Sequence, residues 1–144
     1  MQQRRVNFHT LGCKLNFSES STLAREFEEG GFVRVAPDAE ADICVIRKLH
    51  RRNPGAIIAV TGCYAQLKPQ EIAAIEGVDI VVGNNDKGDL YKRVLELPGK
   101  GRAQVYSCDA DSLTSFFAAF SSGDRTRAFL KVQDGCDYKC AYCT

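Results

Sequence analysis

Short, almost wholly apolar runs separated by helical patterns constrain this chain more than anything else in it. Ala41-Asp42-Ile43-Cys44-Val45-Ile46, Ala56-Ile57-Ile58-Ala59-Val60-Thr61 and Asp79-Ile80-Val81-Val82-Gly83 are too short for helices and too continuous for strands with one wet face. Strands of that kind are buried on both faces, which is the condition of a parallel sheet packed between helices. Val6 to Leu11 reads as a first strand of the same sort and Phe32 to Val35 as a second. Between those two, Asn16-Phe17-Ser18-Glu19 has the form of a capping box, and Leu23 and Phe27 lie four apart on one helical face before Gly30-Gly31. Pro69 suits the first turn of a helix through Ile72 and Ile75 that Gly77 ends, and Asp89 to Leu95 makes a last helix. Alternating strands and helices predict an α/β fold, a doubly wound parallel sheet of about five strands in a flavodoxin-like order 2-1-3-4-5.

One connection is too short for that plan. Only Arg47 to Gly55 separate the third and fourth strands, whereas a parallel crossover takes roughly a dozen residues or more. Arg47-Lys48-Leu49-His50-Arg51-Arg52 has the look of the last turns of a helix whose beginning is absent, so a segment is expected to be missing between Ile46 and Arg47. The same basic run is a candidate for phosphate contact, against the plainer role of a solvated helix face.

Two sets of cysteines carry chemistry. Cys13 and Cys63 each follow a glycine at the end of a predicted buried strand, in Leu11-Gly12-Cys13 and Thr61-Gly62-Cys63. In a doubly wound sheet the carboxyl ends of the strands form the ligand edge, so both face one crevice, either as metal ligands or as a pair of ordinary thiols. Near the end of the chain, Cys136, Cys140 and Cys143 have the spacing C-x-x-x-C-x-x-C behind a strand-like Arg127 to Val132. Three thiolates leave a metal centre open, as in a catalytic iron-sulfur cubane, whereas a structural zinc site is closed by four ligands. A zinc knuckle that borrows Cys108 or a histidine is the competing reading. Cys44 lies within a strand and is expected in the core, and His9 likewise. Asn16 is placed either to orient a group at Cys13 or simply to cap the helix.

Seven cysteines, an odd number, in clustered spacings and without an export signal favour metal ligation in a reducing compartment, with the cytoplasm as the expected location. A net charge of +1 gives no global attraction to nucleic acid or membrane. Neither a membrane nor a DNA partner is expected, and RNA binding must rest on a local patch or on sequence outside this chain. From Pro98 to Asp124 the composition turns Gly-, Ser- and Asp-rich, with one apolar island, Phe116 to Phe120, read as a short strand. This divides the chain into a domain at 1–100, a connector at 101–125 and the start of a second domain at 126–144.

Three motifs together, Thr10-Leu11-Gly12-Cys13-Lys14-Leu15-Asn16, Thr61-Gly62-Cys63-Tyr64-Ala65-Gln66 and Val132-Gln133-Asp134-Gly135-Cys136 to Cys143, resemble the methylthiotransferases of the radical S-adenosylmethionine (SAM) superfamily. The Gly-Cys-Lys-Leu-Asn form most resembles the branch acting on N6-threonylcarbamoyladenosine beside the tRNA anticodon. The resemblance implies two 4Fe-4S clusters. Cys136, Cys140 and Cys143 would hold the one that binds SAM and yields a 5′-deoxyadenosyl radical. Cys13 and Cys63 would be the first and third ligands of an auxiliary, sulfur-carrying cluster, whose second ligand the family carries just after the third strand, where this chain has no counterpart. It further implies a tRNA substrate methylthiolated at adenine C2, an electron donor, and a radical SAM partial barrel of which this chain holds the first strand and cluster loop, so that the fragment by itself is inactive. Related branches acting on isopentenyladenosine in tRNA or on a ribosomal protein, and a non-catalytic metal-stabilised RNA-binding module, are the alternatives.

Overall fold

The computed structural model describes residues 3–10, 14–46, 55–121 and 127–133. In chain order the elements are β1 (Arg5–His9), α1 (Lys14–Glu29), β2 (Val33–Arg34), β3 (Ile43–Ile46), β4 (Ile57–Thr61), α2 (Cys63–Leu67), α3 (Pro69–Ala73) and β5 (Ile80–Val82). A 3-10 turn at Lys87–Asp89 leads into α4 (Leu90–Leu95), followed by β6 (Gln104–Tyr106), a second 3-10 turn at Ala110–Ser112, β7 (Phe120–Ser121) and β8 (Phe129–Leu130). Six strands form one sheet in the order β2-β1-β3-β4-β5-β6, with every neighbouring pair parallel. The predicted order of the first five strands is therefore present, and β6 extends it. Gln104–Tyr106 lies in the stretch read from composition as connector; three half-buried residues beside Gly and Ser carry too little apolar pattern to announce a strand.

The sheet separates two cores, as the continuous apolar runs require. Successive side chains of a strand point to opposite faces. Ile43, Val45, Ala59, Ile80 and Val82 accordingly pack with Leu23 and Phe27 of α1 and Leu90 and Val94 of α4. Cys44, Ile58, Val60 and Val81 pack on the other side with Ala65 of α2 and Ile72 of α3. Cys44 is thus a core residue, as expected.

The start of α1 departs from the capping-box reading. The helix already runs at Lys14, so Asn16 lies within its first turn and is not its N-cap, and Glu19 is buried to 1% exposure. Spacing explains the outcome: Glu19 stands four residues before Leu23 and eight before Phe27, on the face turned to the core. The other end is a Schellman turn. Gly31 has φ 90°, its N–H donates to Glu28 O at 3.0 Å, and Phe32 N–H reaches back to Phe27 O at 3.0 Å. The accompanying apolar contact is present as an edge-on ring pair, Phe27 to Phe32, with centroids 5.4 Å apart. Phe8 and Tyr91 meet the same Phe27 ring edge-on, at 5.9 and 5.0 Å.

Of the connections between neighbouring strands β3 to β6, the one from β3 to β4 is the shortest. It has residues 47–56 only, against 62–79 between β4 and β5 and 83–103 between β5 and β6. Arg47 and its neighbours, with the proposed break before Arg47 and the basic run, lie outside the described residues.

Candidate functional site

The parallel register brings three strand ends together. His9 of β1 pairs with Ile46 of β3, and Ile46 pairs with Val60 of β4, so β1, β3 and β4 finish side by side at one edge. Cys63 follows β4 after Gly62 alone, is exposed and is a free thiol. It opens α2, a helix that apolar spacing alone did not reveal because it has a single buried apolar residue, Ala65. Cys13, Cys136, Cys140 and Cys143 lie outside the described residues; in sequence, Cys13 falls between the end of β1 and the start of α1. Among the described residues no three His, Cys, Asp or Glu side chains converge as metal ligands.

Gly62 makes the turn from strand to Cys63. Its φ of 116° and ψ of −170° fall in a region that essentially only glycine occupies. Its carbonyl accepts the Gln66 N–H at 3.0 Å, the first turn of α2. Gln66 is itself buried, and its side chain is divided between two loops: Oε1 accepts the Asn84 N–H at 2.8 Å and Nε2 donates to the Cys108 carbonyl. Cys108 therefore takes part through its backbone, in a half-buried position. Gly83 lies against this amide so closely that a Cβ there would stand 2.6 Å from Gln66 Oε1. Together Gly62, Gln66 and Gly83 fix where the chain presents Cys63.

Thr61 completes the strand end. It is 3% exposed, and among the described residues its hydroxyl has no hydrogen-bond partner. A buried hydroxyl without a partner costs on the order of 1–3 kcal/mol, so it marks a place where a further acceptor belongs. On the solvent side of α2, Tyr64 donates to Glu71 Oε2 at 3.0 Å and Lys68 approaches Glu71 Oε1 at 2.9 Å. The hydrogen bond from Lys68, followed by that from Tyr64, holds the Glu71 carboxyl below its ordinary range, and the bond to Glu71 raises the Tyr64 hydroxyl. His9, expected in the core, is half-buried at the end of β1.

Sequence comparison adds to this geometry. Residues 5–48, which take in β1 through β3, match the family described as "Uncharacterized protein family UPF0004". The chain is 38% identical over 167 residues to the threonylcarbamoyladenosine tRNA methylthiotransferase MtaB of Bacillus subtilis, covering 96% of this chain and 35% of the relative. It is 34% identical over 158 residues to the protein of the same name from Aquifex aeolicus, with 96% and 38% covered. A tRNA-2-methylthio-N(6)-dimethylallyladenosine synthase from Sphingopyxis alaskensis is 33% identical over 161 residues, covering 94% of this chain and 35% of that one. Residues 5–48 thus carry a UPF0004 domain, and nearly the whole of this chain is similar to part of these methylthiotransferases. It spans about a third of the length of these relatives. The alignment with the Bacillus subtilis protein runs over 167 residues, more than the 144 of this chain, so that relative carries residues with no counterpart here.

Proposed function

We propose that this chain is the sulfur-delivery domain and the beginning of the radical SAM domain of a tRNA methylthiotransferase acting at C2 of N6-threonylcarbamoyladenosine. The observation that carries the reading is the common edge of β1, β3 and β4, with exposed Cys63 just behind β4 and Cys13 following β1 in sequence. Three of the relatives at 34–38% identity bear the threonylcarbamoyladenosine name. A synthase for the dimethylallyladenosine derivative and a ribosomal protein uS12 methylthiotransferase at 27% identity stand behind the two alternative substrates.

In this reading Cys13 and Cys63 are ligands of an auxiliary 4Fe-4S cluster, and Cys136, Cys140 and Cys143 hold the cluster that binds SAM. Described residues suit the first role. Cys63 is a free, exposed thiol at the strand edge, and Thr61 offers a buried hydroxyl donor at the same strand end. When bound, the two clusters supply the electron for reductive SAM cleavage and the sulfur to be transferred. The chain's own work is positional: Gly62 turns the backbone out of β4, and Gln66 pins α2 to the loops at Asn84 and Cys108, so that Cys63 is offered from a rigid edge. The second auxiliary ligand belongs to a segment lacking between Ile46 and Arg47, consistent with the short β3–β4 connection and the extra residues of the relative. tRNA, an electron donor and a cytoplasmic location belong to the same proposal, as does the division into 1–100, 101–125 and 126–144. Among the described residues no helix is long and apolar enough to cross a membrane.

Anaerobic reconstitution of the full-length protein with iron and sulfide tests the assignment. Iron and acid-labile sulfide in equal amounts are expected, with reductive SAM cleavage that disappears when Cys136, Cys140 and Cys143 are replaced by Ala. Cys63→Ala is expected to lower the iron content and leave SAM cleavage in place. Bound zinc without sulfide, and no SAM cleavage, overturns the reading in favour of a non-catalytic RNA-binding module.

A further inference from the structure

Among the described residues, three charged side chains meet inside the protein, away from the strand edge. Glu19 of α1 accepts Lys87 Nζ on Oε2 at 2.8 Å and Lys131 Nζ on Oε1 at 2.9 Å. The side chains are 2%, 3% and 0% exposed. Each carboxylate oxygen thus serves a different segment, the turn that follows β5 and the residue that follows β8. Burying such a cluster is costly, and well-packed apolar residues in its place are often as stable or more so. Stability is therefore a poor reason for its presence, whereas fixing one geometry is a good one.

The surroundings show which geometry is at stake. β7 and β8 form a hairpin pairing Phe120 with Leu130 and Ser121 with Phe129. Phe120, Leu130 and Val132 are 47%, 72% and 82% exposed, so the hairpin strands bury little apolar surface of their own. Directional contacts to α1 hold it instead. Thr22 Oγ1 accepts the Phe120 N–H at 3.0 Å and donates to its carbonyl at 3.2 Å. Arg25 Nη2 donates to the same carbonyl at 2.8 Å, its guanidinium 3.9 Å from the Phe120 ring centre. Glu19, Thr22 and Arg25 follow one another at intervals of three, on neighbouring turns of one helix face. In sequence, α1 begins directly after Cys13, and Lys131 stands five residues before Cys136.

We propose that Glu19, with Lys87 and Lys131, is a buried latch that sets the segment entering the Cys136–Cys143 loop relative to the sheet edge bearing Cys63. Glu19 is then a positioning residue, and its importance for turnover rests on the two-site function proposed above. An apolar contact permits sliding, but one carboxylate held by two ammonium groups from different segments does not.

Hydrogen exchange in Glu19→Gln tests the latch itself. Phe129 N–H, which donates to Ser121 Oγ, and Lys131 N–H, which donates to Ala119 O, are expected to exchange about tenfold faster or more. The amides of β1, β3 and β4 are expected to keep their protection. Should Glu19→Gln fail to fold, Lys131→Met removes one arm, leaves Glu19 with Lys87, and is expected to loosen the same two amides. Unchanged protection at Phe129 and Lys131 in the folded variant overturns the latch, and so does an equal loss across the whole sheet, which marks an ordinary core contact. The positioning role has its own readout. In the full-length protein with SAM, reductant and tRNA, Glu19→Gln is expected to raise the 5′-deoxyadenosine released per methylthiolated product several-fold, a ratio that loss of folded protein does not change. An unchanged ratio overturns the positioning role. If the unaltered full-length protein cleaves no SAM at all, the proposed function fails while the exchange result still decides the latch.

Discussion

Gly62→Ala is the perturbation that joins backbone physics to the site most closely. At φ 116° and ψ −170° an alanine Cβ is strained whatever space surrounds it, at a cost of about 1–3 kcal/mol. The chain either keeps that strain or rotates the Gly62 peptide, and rotation turns the carbonyl away from the Gln66 N–H that it accepts at 3.0 Å. The first turn of α2 then loosens, and with it the Gln66 side chain that ties α2 to Asn84 and Cys108. Urea unfolding measures the cost, and at about 4 °C per kcal/mol for a chain of this size thermal melting should fall by about 4–12 °C. Alkylation of Cys63 in the folded state reports the second effect, an altered rate as the thiol leaves its place. Gly101→Ala is the control: no atom lies within 4 Å of an added Cβ, and a surface change of this kind stays within about 0.5 kcal/mol. Equal stability and equal Cys63 alkylation in Gly62→Ala and Gly101→Ala would refute the argument that Gly62 is required by conformation.

Other outcomes follow from the same physics. Phe27→Ala removes a fully buried ring that meets Phe8, Phe32 and Tyr91; a loss of about 3–5 kcal/mol in urea unfolding is expected. Gly31→Ala, at φ 90° in open space, is expected to cost about 1 kcal/mol by the same measurement. Glu26 is half-buried, and burial, then the neighbouring Glu29 charge, raise its carboxyl to about 7 against the opposing pull of Arg25, with Asp89 adding to the rise. A raised carboxyl binds its proton more tightly when folded, so ionised Glu26 lowers stability above pH 7 and this penalty fades as pH falls toward 4.5. Glu26→Gln should therefore be more stable than the parent at pH 8 and lose most of that advantage by pH 5, as read from urea midpoints.

The sheet was legible in the sequence because its strands are buried on both faces. A run such as Ile43 to Ile46 has no other easy home, and its neighbours in the order follow from the helical patterns between them. β6 was not legible, since Gln104, Val105 and Tyr106 are each half-buried and interrupt a polar stretch. Glu19 was misread for an instructive reason. A carboxylate three residues beyond Asn16 fits a capping box, but the same residue also stands four before Leu23, and the helical face wins once Lys87 and Lys131 neutralise the charge. At the site, Gly62-Cys63 was visible as a motif, whereas the φ of Gly62, the divided hydrogen bonds of Gln66 and the unpartnered Thr61 hydroxyl depend on contacts between strands far apart in sequence.

The central claim, methylthiolation of threonylcarbamoyladenosine, is tested most directly by mass spectrometry of tRNA nucleosides from cells lacking the gene. The 2-methylthio derivative of N6-threonylcarbamoyladenosine is predicted to disappear while its unmodified precursor accumulates. Persistence of that derivative, with loss of the methylthio group from isopentenyladenosine or from a ribosomal protein instead, would contradict the account.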